Sequence, residues 1–189
     1  MPSAVSSALP SRKKASRMAA DRVIALTATS RRSVSDSPRV RAAKMGALPT
    51  GSTTTNRTTK ALSRISIPAE ARSYQLWIFL AGDIEIPVGS LGSRHFPRGW
   101  YVYTGSARRG IRARLRRHCA PPEEKRPRWH IDYLLADPAA EIRYLTWSGQ
   151  SECRLNAATG GIVVCPGFGA SDCRSRCGSH LRYREAGPG

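Results

Sequence analysis

The stretch of residues 100–118, WYVYTGSARRGIRARLRRH, limits the fold most, because a strand pattern changes into a helix pattern within it. The aromatic and β-branched residues 100–104 predict a β-strand, and Gly105 begins the turn that ends it. From Ile111 the apolar positions recur at helical spacing, with Leu115 four residues later on the same face. A short helix is therefore expected directly after the strand and its turn.

The predicted helix is strongly basic. Arg114 and His118 lie four residues apart and therefore share one of its faces. A tyrosine at the end of the preceding strand could converge with them on a phosphate group. Further arginines surround this pair and are expected to contact a nucleic-acid backbone without reading its sequence. They are Arg108, Arg109, Arg112, Arg116 and Arg117.

Positive charge is a property of the whole chain, whose formal net charge is +18. Residues 71–189 hold 18 Lys and Arg against 10 Asp and Glu, so this part is basic by itself. Such a charge favours a polyanionic partner, which is nucleic acid or an anionic membrane surface. The sequence has no apolar run long enough to predict a transmembrane segment. Five cysteines without a secretory signal predict a reducing, intracellular location, and the cytoplasm is the simplest one.

Residues 1–70 differ in composition from the rest of the chain. They are rich in Ser, Thr, Ala and Arg and contain no Trp, Tyr or Phe, so we expect a disordered basic segment. Three origins fit: a leader for import into an organelle, a nucleic-acid-binding arm, or a start assigned too early. We favour the third, with Met18 or Met45 as the true start, because the composition changes near Ser73.

Residues 71–185 are expected to form one domain of the α+β class. Residues 74–80 and 84–88 are typical of a hairpin, and residues 100–104 complete a small antiparallel three-stranded central sheet. Residues 89–99 are expected to form a loop. Helices flank the sheet and further strands follow, at residues 110–118 (helix), 129–135 (helix), 141–147 (strand), 151–158 (helix) and 162–165 (strand).

Five blocks of residues 73–183 resemble, in order, a little-characterised branch of the GIY-YIG nuclease superfamily. They are GWYVYTGSA at 99–107, RLRRH at 114–118, WHIDYLL at 129–135, ECRL at 152–155 and GFGASDC at 167–173. The resemblance implies a GIY-YIG-like fold and a metal-dependent endonuclease that hydrolyses phosphodiester bonds in DNA. The chain departs from the family pattern at Arg72, where the family has glycine, and at Thr104, where it has isoleucine.

The resemblance also implies an active site. Tyr74 and Tyr103 match the two tyrosines on adjacent strands that orient or deprotonate the attacking water. Arg114 matches the arginine that neutralises the scissile phosphate, and its planar fork suits two phosphate oxygens. His118 matches a histidine that some members carry one turn later. Glu152 matches the carboxylate that holds one divalent ion, for which magnesium is expected.

A second set of residues has metal-like spacing, namely Cys173, Cys177 and His180. It permits a structural zinc site. Zinc is nevertheless not favoured, because only three ligands lie close together in the sequence and small buried cysteines are common core residues. The alternative is that Ser171, Asp172 and His180 line the same cleft as Glu152. A fourth ligand is left open among Cys153, Cys165 and Asp172.

Two functions of other classes also fit this sequence. One is a catalytically silent nucleic-acid-binding module on the same scaffold, and the other is a zinc-stabilised interaction domain. Glu152 separates the first from a nuclease, because a binding module does not need a carboxylate facing Arg114. The sequence leaves open whether the substrate is duplex, branched or damaged DNA, or RNA.

Overall fold

The computed structural model describes residues 24–25, 62, 65–107 and 109–188, with the backbone alone for residues 24–25. The expected disorder of residues 1–70 therefore falls mostly outside the described residues. In the described part of the chain, no helix is long and apolar enough to cross a lipid bilayer.

The described strands form two antiparallel sheets. In chain order they are β1 (Ile24–Ala25), β2 (Ser73–Leu80), β3 (Ile84–Pro87), β4 (Ser93–Phe96), β5 (Gly99–Ser106), β6 (Ala140–Ser148) and β7 (Leu181–Arg184). The larger sheet has the order β1-β6-β2-β5-β7, and β3 pairs with β4 in a separate two-stranded sheet. The α+β class expected from the sequence is confirmed.

The predicted three-stranded central sheet is wrong in its size and in one of its members. β2 pairs along its length with β5 on one side and β6 on the other, so it has no free edge left for β3. β3 instead pairs with β4, which lies inside the expected loop at residues 89–99. The strand expected at residues 162–165 is reduced to one bridge between Ile162 and Tyr183, and Ile162 is 62 % exposed.

The three predicted helices are confirmed within a residue or two at their ends. They are α1 (Ile111–Cys119), α2 (His130–Leu134) and α3 (Glu152–Ala158). Helix α1 turns Ile111 and Leu115 into the core, as their spacing predicts. Its opposite face remains exposed and carries arginines.

The main core covers one face of the larger sheet. Alternate residues of β2 from Tyr74 to Leu80 point into it, together with Tyr101 and Tyr103 of β5. Leu62 and Ile65, which precede residue 71, also belong to this core. The guanidinium of Arg112 donates hydrogen bonds to the carbonyl oxygens of both, at 3.1 and 2.6 Å. Arg112 thus fastens the segment before β2 to helix α1.

Gly105 is required by the close approach of β5 to the Tyr74 ring. A Cβ at Gly105 would lie 2.6 Å from the Tyr74 hydroxyl oxygen, closer than van der Waals contact allows. We therefore expect Gly105→Ala to lower the free energy of unfolding by about 1–3 kcal/mol, measured by urea denaturation. Gly82→Ala is the control, because a Cβ there meets nothing within 4 Å. Equal stability of the two variants would contradict this packing.

Candidate active site and metal centre

A cleft of about 330 Å³ opens between the end of β5 and the helices that follow β5 and β6. Tyr103, Arg114 and Glu152, which the sequence analysis assigned to one active site, all line it. The cleft is completed by Ser106, Arg128, Trp129, His130, Gly169, Ser171 and Asp172. Three residues from distant parts of the chain are therefore brought to one concave surface.

Glu152 is the first residue of α3 and is half-buried. Its Oε2 accepts a hydrogen bond from Ser106 Oγ at 2.5 Å, and its Oε1 lies 3.0 Å from His180 Nδ1. Burial raises the pKa of Glu152, but the hydrogen bonds from His180 and Ser106 and the charges of His180 and Arg114 lower it overall. The carboxylate is thus ionised at neutral pH, as a ligand for a divalent cation must be.

Arg114 lies on the exposed face of α1 and is held at the cleft by Trp129. Its guanidinium carbon is 5.0 Å from the centre of the Trp129 ring, a cation–π contact. Arg117 and Arg128 contact the same ring at 4.9 and 5.8 Å. The indole therefore contacts three guanidinium groups, of which those of Arg114 and Arg128 line the cleft.

The two predicted tyrosines differ in their surroundings. Both side chains are buried in the core, but Tyr103 also lines the cleft, whereas the Tyr74 hydroxyl shares a 2.8 Å hydrogen bond with His118 Nε2. Burial raises the pKa of both hydroxyls, so both keep their protons at neutral pH. Burial also lowers the pKa of His118 to about 4, so its ring is neutral. Tyr74 and His118 do not line the cleft themselves, but Tyr74 interacts with the Arg114 side chain, whose charge and hydrogen bond partly offset the effect of burial on the pKa of Tyr74.

The arginines predicted to contact nucleic acid divide into two groups. Arg112 is used to hold Leu62 and Ile65, as described above. Arg117 forms an ion pair with Asp132 at 2.8 Å and donates a hydrogen bond to the Arg126 carbonyl oxygen. Arg109 and Arg116 are exposed, and Arg108 lies outside the described residues.

The fold also brings into the cleft several residues that had no predicted role in the active site. Ser106 is the last residue of β5, the strand that carries Tyr103, and its hydroxyl donates a hydrogen bond to Glu152. Arg128 and His130 flank Trp129 at the start of α2, and the Gly169 N–H donates a hydrogen bond to His130 Nδ1 at 3.0 Å. The WHIDYLL block was the available signal, but its helical periodicity alone does not show which face meets the cleft.

A second centre lies beside the cleft. Cys153, Cys173, Cys177 and His180 place four ligand atoms within 4.8 Å of one another, which is a cluster that could hold a metal ion. Cys153 is therefore the fourth member that the sequence left open, whereas Cys165 is buried in the core. Among the described residues, His180 Nε2 has no hydrogen-bond partner although it is buried. A buried, unpaired imidazole nitrogen beside three thiols fits a metal ligand.

The comparisons with known proteins identify a family. Residues 73–188 match the family model described as a domain of unknown function, DUF123. The chain belongs to the DUF123 family. No match was found among curated proteins or solved structures. The DUF123 domain contains strands β2 to β7, the cleft and the Cys₃His cluster, whereas β1, Leu62 and Ile65 precede it.

The buried position of His118 predicts a dependence of stability on pH. Because its pKa is about 4 in the folded state and 6.5 without burial, the unfolded chain alone binds a proton between these values. The free energy of unfolding should therefore fall as the pH drops from 6.5 to 4, by roughly 1.4 kcal/mol per pH unit for this one proton. His118→Gln can still hydrogen bond with Tyr74 but does not take up this proton. Its free energy of unfolding, measured by denaturation across the same pH range, should therefore fall less than that of the wild type. Equal falls in the two proteins would contradict the prediction.

Proposed function

We propose that this DUF123 domain is a metal-dependent endonuclease of the GIY-YIG type that hydrolyses phosphodiester bonds in DNA. The observation that supports this most is that Tyr103, Arg114 and Glu152 line one cleft. Phosphodiester hydrolysis needs a positioned water, positive charge beside the phosphate and a ligand for a divalent ion. This cleft offers one residue suited to each need.

Each residue has a distinct role in this proposal. Glu152 holds one divalent ion, for which magnesium is expected because it favours carboxylate and water oxygens. When bound, that ion activates water and offsets the negative charge of the phosphate. Arg114, oriented by Trp129, binds the non-bridging oxygens of the scissile phosphate. Tyr103 keeps its proton and therefore donates a hydrogen bond that positions water or phosphate, rather than acting as a free base.

The DNA backbone is bound by exposed arginines around the cleft. Arg128 lines the cleft itself, and Arg109 and Arg116 are exposed on the segment that includes α1. Their charges contact phosphates without reading the bases, so affinity should fall as the salt concentration rises.

The charge of Glu152 favours a nuclease over a catalytically silent binding module. An ionised carboxylate beside Arg114 repels a bound phosphate unless a cation lies between them. A module that only bound nucleic acid would be weakened by this residue, whereas a metal-dependent enzyme uses it.

We infer that zinc is the ion of the Cys₃His cluster. Three thiolates and one imidazole form a closed tetrahedral ligand set that is typical of structural zinc. Its role here is to stabilise the fold around α3 and β7, and it is distinct from the ion proposed at Glu152.

The nuclease proposal predicts cleavage of DNA in the presence of Mg²⁺ or Mn²⁺. Arg114→Ala and Glu152→Gln should each lower the cleavage rate by about 10²-fold or more, because each removes a charge needed at the phosphate. The cleavage rate is measured on plasmid DNA, branched DNA and RNA, and the comparison identifies the preferred substrate.

Arg154→Ala is the matched control, since it removes the same charge from an exposed position on α3. It should cleave at the wild-type rate. Activity that survives both active-site substitutions would exclude the assigned site. Binding of DNA by the wild type without cleavage under any of these conditions would instead support the silent module.

The zinc assignment predicts one zinc ion per purified chain, measured by mass spectrometry. Cys177→Ser should lose this ion and melt at a lower temperature, because zinc sites contribute folding energy directly. Cys165→Ala is the control, since it removes a buried thiol outside the cluster and should retain the ion. Wild-type protein that contains no zinc and binds none when zinc is added would refute the assignment.

A further inference from the structure

We propose that the metal centre positions Glu152 in the cleft, and that His180 is the residue through which it does so. The two centres share one hydrogen bond, between His180 Nδ1 and Glu152 Oε1 at 3.0 Å. The consequence for cleavage rests on the proposed function. The physical link between the metal and the carboxylate does not depend on it.

His180 has two nitrogens with two different tasks. It is only 3 % exposed, Nδ1 is next to Glu152, and Nε2 has no hydrogen-bond partner in the described residues. An imidazole that offers the lone pair of Nε2 to a metal must carry its proton on Nδ1. That proton is then directed at Glu152 Oε1. Metal binding at Nε2 and the hydrogen bond from Nδ1 to the carboxylate thus require the same tautomer, and the metal fixes the position of the ring that donates to Glu152.

Without a metal, the hydrogen bond from Nδ1 can still form, because the carboxylate itself favours a proton on Nδ1. What is lost is the fixed position of the ring, since Nε2 is no longer tied through an ion to Cys153, Cys173 and Cys177. Glu152 would keep the hydrogen bond from Ser106, but its second hydrogen-bond donor would no longer be held in place.

The covalent chain couples the two centres as well. Glu152 and Asp172 both line the cleft, and each is followed directly by a cysteine of the cluster, Cys153 and Cys173. The two sulfur atoms lie 3.7 Å apart. One ion held between these sulfurs would therefore set the separation of the two chain segments that bring carboxylates to the cleft.

The link is tested by zinc affinity, because coupling between two sites is reciprocal. If the metal orients Glu152 through His180, then Glu152 must strengthen metal binding. Glu152→Ala should weaken zinc binding by about 10–100-fold in competition with a chelator, as is usual for the hydrogen-bond partner of a metal-bound histidine. Glu152→Gln keeps an acceptor oxygen and should recover part of this loss. Glu123→Gln, an exposed carboxylate elsewhere, should bind zinc like the wild type.

The visible spectrum of the Co²⁺-substituted protein shows whether the four ligands are retained in each variant. A retained tetrahedral spectrum with weakened affinity is the expected result, and it distinguishes lost positioning from a lost fold. If Glu152→Ala does not fold, Glu152→Gln still tests the link, because its affinity should lie below that of the wild type. Equal affinities of the wild type and the folded Glu152 variants would overturn the inference. Zinc affinity is measured without any DNA cleavage. The result would therefore remain valid if the protein proved not to be a nuclease.

Discussion

The double pairing of β2 is the constraint on which the candidate site depends. Both β5 and β6 run antiparallel to it, and their last residues, Ser106 and Ser148, both pair with Ser73 at its beginning. The chain therefore leaves both strands at the same end of the sheet, and α1 and α3 begin there. Arg114 and Glu152, which are far apart in sequence, meet at one cleft because the helices that carry them start from neighbouring strand ends.

Glu152 lines the cleft and is also hydrogen bonded to the Cys₃His cluster. Its carboxylate lies between the basic face of the cleft and the Cys₃His cluster, with Ser106 on one oxygen and His180 on the other. Nearby arginines favour the ionised form of the carboxylate, but they do not fix its orientation. The orientation depends on hydrogen bonds. A buried histidine that can also bind a metal gives that orientation a rigid support.

Local sequence patterns predicted the helices and strands well, but they predicted poorly which strands pair and which distant residues come together. Runs of apolar and aromatic residues, alternation, helical spacing and capping residues predicted β2, β5, β6 and the three helices, because all of these signals depend on residues close in the chain. The pairing of β3 was wrong, since the choice between β2 and β4 depends on which edges β6 and β5 already occupy. The spacing of the cysteines left the fourth ligand open, because Cys153 belongs to a helix 20 residues before Cys173 and only folding brings them together.

The sequence by itself determined the α+β class and the basic helix, and its resemblance to the GIY-YIG superfamily indicated the candidate residues Tyr74, Tyr103, Arg114 and Glu152. The sequence could not show which of the two tyrosines lines the cleft, since both are tyrosines in β-strands and have the same chemistry. Only the tertiary structure decided that Tyr103 lines the cleft while Tyr74 is buried against His118. The physical reason is that access to a cleft depends on which elements pack over a strand, and those elements come from distant parts of the chain.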